Sequence, residues 1–91
     1  MPYMYSDEPE RIDFVADAGI VDQIIDWFGN DIRITKNSDD EKKINVSVVS
    51  SPNAMEHWAM QYINYVEVTA PESIRDRICK SLKNGMKKYR M

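Results

Sequence analysis

The side chains best suited to chemistry near neutral pH are a single histidine, His57, and a single cysteine, Cys79. Nucleophilic catalysis needs a hydroxyl or thiol beside a base that a third group orients. His57 falls off the helical stripe of Met55, Trp58 and Tyr62, so it is expected to face solvent. Cys79 belongs to a different helix and flanks a buried position, so an inert, half-buried thiol is expected. A structural zinc site takes four Cys or His ligands, and the chain has one of each. Asp39-Asp40-Glu41 lacks the alternating oxygen ligands and the turn glycine of a calcium loop. Three glycines in all leave no phosphate-cradling loop, and the carboxylates are spread rather than paired. These patterns predict no catalytic residue, no metal and no cofactor, and a protein that is not an enzyme.

Binding is the other route to function, and charge is the first guide to it. Residues 1–73 carry five Lys/Arg against fourteen Asp/Glu, a balance of −9, while residues 74–91 carry a balance of +6. The basic stretch holds Arg75, Arg77, Lys80, Lys83 and Lys87, followed by Lys88 and Arg90. Cations near a helix C-terminus suit the negative end of its dipole, which explains much of this bias without a ligand. The same residues, with Arg33, are the candidates for contact with a polyanion or a neighbouring domain. Trp27, at the edge of an apolar stripe, is the candidate interface aromatic; packing against the last helix is the competing expectation.

The elements that position these residues follow from periodicity. Ile12, Phe14 and Ala16 alternate in a strand, and Asp17 is placed to cap the helix that follows. Ile20, Ile24 and Phe28, with Val21 and Ile25 beside them, form its apolar stripe, and Gly29 ends it where a left-handed residue is wanted. Ile32 and Ile34 mark a second strand, 37–41 a polar hairpin loop, and Ile44, Val46 and Val48 a third strand. Ser51 and Pro52 open a helix with the stripe Met55, Trp58, Ala59 and Tyr62, which Asn64 is expected to end. Residues 65–69 read as a fourth strand, and Thr69-Ala70-Pro71-Glu72 has capping-box spacing before a helix with Ile74, Ile78, Leu82, Met86 and Tyr89 on one side.

That order predicts an α+β fold, a ferredoxin-like β-α-β-β-α-β sandwich with an additional C-terminal helix. Right-handed crossovers put the first and third strands in the centre and both helices on one sheet face. The expected core is Ile12, Phe14, Ile24, Phe28, Ile34, Val46, Val48, Trp58, Tyr62, Val66 and Val68. The opposite face, with Arg11, Asp13, Val15, Arg33, Thr35, Asn45, Ser47, Val49 and Glu67, is mixed polar. It lacks the central aromatics on which RNA-recognition sheets stack bases. Residues 1–8 read as a linker or a cloning remnant, and 9–91 as one domain. No run approaches the ~20 apolar residues that span a bilayer. With neither a secretory signal nor a membrane span, the cytoplasm is expected.

The run from Glu56 to Ile78, EHWAMQYINYVEVTAPESIRDRI, resembles the C-terminal extension (WCX) of WYL-domain bacterial transcription regulators. Its pattern is a tryptophan-bearing helix, a turn, a Val-x-Val strand, Pro-Glu, an Ile-Arg helix and a late tyrosine. Trp58, Val66, Val68, Pro71, Glu72, Ile74, Arg75 and Tyr89 match it in place. The strand from Ile12 to Ala16 and the Trp27-Phe28-Gly29 helix end are similar to its beginning, so the likeness covers about residues 9 to 91. Asn64 stands where family members often carry glycine, and neither the Trp-Tyr-Leu tripeptide nor a helix-turn-helix is present. The resemblance implies a fragment of a longer regulator with a DNA-reading winged helix and an effector-sensing WYL domain. It further implies a role in dimerisation or interdomain signalling, with its own WYL domain and a second copy as partners and DNA reached through other domains. An accessory nucleic-acid or nucleotide-binding surface on the basic last helix is the alternative.

Overall fold

Alternating apolar residues produce β1 (Glu10–Asp17), whose Ile12, Phe14 and Ala16 are all buried on one face. In the computed structural model, which describes residues 7–29 and 31–90, a 3₁₀ turn at Ala18–Ile20 leads into α1 (Val21–Phe28). Then come β2 (Ile32–Lys36), β3 (Lys43–Ser50), α2 (Pro52–Gln61), β4 (Val66–Ala70) and α3 (Glu72–Tyr89). The fold is α+β, and its element order and antiparallel sheet fit a ferredoxin-like sandwich with an added C-terminal helix. The expected linker lies outside the described residues except at its end, where the Asp7 carboxylate accepts a 3.0 Å hydrogen bond from the Asn53 backbone N–H. Among the described residues no helix is long and apolar enough to cross a membrane.

The strand order is β2-β3-β1-β4, which puts the first and third strands in the centre as right-handed crossovers require. β1 pairs with β3 from Glu10↔Ser50 to Asp17↔Lys43, so Ile12, Phe14 and Ala16 share a face with Val48, Val46 and Ile44. A register shift beside Asp13 and Phe14 interrupts the pairing of β1 with β4. The helices cover the apolar face. Their contribution centres on Trp58, 1% exposed, whose ring lies 5.3 Å from Phe14, 4.9 Å from Phe28 and 5.0 Å from Tyr62. Such tilted and edge-on pairs match the aromatic quadrupoles as well as burying area. Ile74 and Ile78 of α3 join the same core, so the last helix is part of the sandwich.

Several local expectations are corrected. Ile34 is 37% exposed because β2 is the outer strand and α1, only eight residues long, packs over β3. Phe28 and Tyr62 sit at the margin of the core, half-buried. Asp17 makes no side-chain cap; its carboxylate takes the Lys43 ammonium at 3.1 Å instead. The Thr69 capping box does not form, since Thr69 is held in β4 and its hydroxyl donates to the Asp13 carbonyl at 3.2 Å. Helix α2 ends without a left-handed residue: Tyr62 caps it and a turn closes when the Tyr65 N–H meets the Tyr62 carbonyl at 2.8 Å. By contrast Ser51 does cap α2, accepting from the Ala54 N–H at 3.2 Å, and Gly29 does take a positive φ of 72°.

Candidate functional site

The basic helix α3 divides into two parts according to what its cations do. Near its start, Arg75 donates to the Glu67 carboxylate at 2.8 Å and to the Val68 carbonyl at 2.9 Å. The hydrogen bond to Glu67 and then its charge raise the Arg75 guanidinium above its ordinary value. Two residues later, Arg77 pairs with Glu56 at 2.8 Å and bonds Asn53. The second Glu56 oxygen accepts from the Ser81 hydroxyl at 2.7 Å. Glu56 therefore clamps α3 to α2 through a forked, partly buried set of charge-assisted bonds. Nothing in the sequence singled out Glu56, because its partners lie 21 and 25 positions away.

Beyond Cys79 the cations are unoccupied. Lys80, Lys83 and Lys87 are exposed and form no hydrogen bond or ion pair among the described residues, as do Lys88 and Arg90. Their spacing puts Lys80, Lys83 and Lys87 on one side of the helix. The apolar stripe continues on the other side but loses its cover: Leu82 is 36% exposed, Met86 68% and Tyr89 82%. Length explains the change. Eighteen helical residues extend about 27 Å, while the five residues of β4 extend about 17 Å. The last turns of α3 thus present an apolar edge flanked by Lys83 and Lys88 with no core beneath it.

A second feature forms between α1 and α2. Gln23, Asp26 and Trp27 share one face of α1 by their i, i+3, i+4 spacing, and with Gln61, Tyr62 and the edge of Trp58 they line a cleft of about 290 Å³. Trp27 is 56% exposed there and leans toward α2, not toward the last helix. The sequence pointed to Trp27 alone; Tyr62 had been assigned to the core, and the neighbouring acid and amides drew no notice.

The sheet face away from the helices remains open. Asp13, Val15, Arg33, Thr35, Asn45, Ser47 and Thr69 line a shallow depression of about 450 Å³ that α3 does not enter. Arg33 has no hydrogen bond or ion pair among the described residues, and Arg11 lies 3.5 Å from Asp31 across the same face. None of the central-strand side chains here is aromatic, so base stacking has no platform.

His57 is exposed on α2, and Cys79 is exposed on α3, not half-buried as expected. Cys79 sits at the rim of a small apolar groove between α3, β4 and α2, where Ile78 and not Cys79 turns inward. Neither residue has a base or orienting group hydrogen-bonded to it among the described residues. No group of three or more His, Cys, Asp or Glu side chains placed to hold a metal occurs among the described residues.

Compared with known proteins, residues 8–86 match the family model described as the WCX domain. No curated protein matches the chain.

Proposed function

The chain belongs to the WCX-domain family, and on that footing we propose that it is the regulatory and assembly module of a bacterial WYL-type transcription regulator. In this reading it mediates dimerisation, or carries a sensed state between domains, and does no catalysis. Its partners are its own WYL domain and a second copy of the regulator, while DNA is met by other domains. The observation that carries the reading is the end of α3, where Leu82, Met86 and Tyr89 continue the core stripe into solvent. An apolar edge of this kind, rimmed by cations, is the composition of a protein-binding surface rather than of a catalytic pocket.

Sedimentation equilibrium tests the reading over about 1–500 µM, a range that brackets weak to moderate affinities. The chain is expected to self-associate, or to bind the separately produced WYL domain of the same regulator. Substituting Met86→Asp together with Tyr89→Asp weakens that association by about tenfold or more while circular dichroism stays unchanged. Association that ignores both changes contradicts the assignment.

The accessory nucleic-acid reading draws on the unpaired row of Lys80, Lys83 and Lys87. Under it, an oligonucleotide binds at low salt and is lost when those three lysines are neutralised.

A further inference from the structure

Two of the surfaces left unoccupied by the fold have opposite charge. Helix α1 contains Asp22 and Asp26 and no basic residue, and Trp27 is exposed beside Asp26 on the face that lines the cleft. The end of α3 contains Lys83, Lys87 and Lys88 and no acidic residue, and its exposed face carries Met86 and Tyr89. Each sets exposed apolar side chains beside charges of one sign, and each sign complements the other. The cleft beside Trp27 adds a shape: an indole face, the half-buried Tyr62 ring and the Asp26 carboxylate converge on a space of about 290 Å³. That set of groups recognises a lysine or arginine head, which an aromatic face attracts and a carboxylate neutralises.

Both surfaces cannot be satisfied within one chain by the packing observed. Helix α2 lies between them, touching α1 through the Phe28–Trp58 ring contact and α3 through the Glu56 clamp. Two copies related by a two-fold axis can exchange them reciprocally, the tail of each filling the cleft of the other, which closes the assembly.

We propose that the α1–α2 cleft around Trp27 is the receptor for the basic end of α3 of a second copy. Met86 and Tyr89 pack against Trp27, and Lys83 and Lys88, on the two flanks of that edge, meet Asp26 and Asp22. This rests on the assembly reading and specifies which surfaces carry it.

The test is a charge exchange on the 91-residue chain, read by sedimentation equilibrium. Asp22→Lys with Asp26→Lys in one protein, and Lys83→Glu with Lys88→Glu in another, each weaken self-association by about tenfold or more. Mixing the two restores it as a heterodimer. Trp27→Ala weakens it by a similar factor, and the indole N–H resonance of Trp27 shifts with concentration in the unaltered chain. Raising the salt from about 0.05 to 0.5 M weakens the unaltered dimer, since the rim charges are screened. Because every altered residue is exposed, circular dichroism is expected to stay unchanged. Reversed variants that associate as tightly as the unaltered chain overturn this pairing, and leave the assembly reading standing if Met86→Asp with Tyr89→Asp still disrupts the dimer. A chain that stays monomeric, with a Trp27 indole signal insensitive to concentration, also overturns it. Binding to the WYL domain in that case keeps the assembly reading alone.

Discussion

Replacing Trp58 with alanine is expected to bring the protein to the edge of unfolding at room temperature. Trp58 is 1% exposed and meets Phe14, Phe28 and Tyr62 within 5.3 Å between ring centroids. It therefore joins β1, α1 and α2 in a single contact set. Truncating a buried aromatic to alanine costs about 3–5 kcal/mol, the lost transfer energy plus the cavity left behind. A domain of this size has a total stability of roughly 5–13 kcal/mol, so the change removes a large share of it. Thermal denaturation followed by circular dichroism should show a midpoint lowered by roughly 15–30 °C. Trp58→Phe keeps an aromatic in the space and should lose clearly less. A drop below about 5 °C for the alanine variant would mean that Trp58 is not the centre of the core.

The second large effect separates the two halves of α3. Ile74 is 1% exposed and belongs to the core cluster, whereas Met86, three turns on along the same helix, is 68% exposed. An aspartate at Ile74 would bury a carboxylate with no partner, a loss of more than about 3 kcal/mol. The midpoint should fall by more than about 12 °C. An aspartate at Met86 meets only solvent in the single chain and should change stability by less than about 0.5 kcal/mol. The contrast within one helix distinguishes a helix that is half core and half interface from one appended throughout. Equal losses at the two positions would contradict that division.

The strand and helix order was legible in the sequence because its cause is local. Ile12-x-Phe14-x-Ala16 alternates with the strand period, and Met55, Trp58 and Ala59 repeat with the helical one. Ser51 and Gly29 carried their roles through because a cap and a positive φ depend on a few neighbouring atoms. Where a residue had two partners to choose between, local pattern failed. Asp17 took Lys43, 26 positions away, over the helix it precedes, and Thr69 served the neighbouring strand β1 rather than α3. Ile34 reads as core by alternation, but burial also requires a helix above it, and the sheet edge has none.

The candidate surfaces were legible only in part, for a related reason. The positive charge of residues 74–91 is plain in the sequence, yet which cations are consumed depends on Glu56 and Glu67 in other elements. Arg75 and Arg77 are tied into intrachain pairs, while Lys80, Lys83 and Lys87 are not. The helical period placed Met86 and Tyr89 on the core side of α3, but not the fact that the body stops short of them. That length mismatch became visible only once β4 and α3 were side by side.

The most direct test of α3 as a half-core, half-interface helix is amide hydrogen exchange along it. Residues 74–78 should exchange slowly at every concentration, because opening them requires disrupting the core. Residues 82–89 should exchange quickly in dilute solution and slow by about tenfold or more as the chain is concentrated or as its WYL domain is added. A tail whose exchange is indifferent to concentration and to that domain would contradict the account, for its exposed apolar edge would then have no partner to meet.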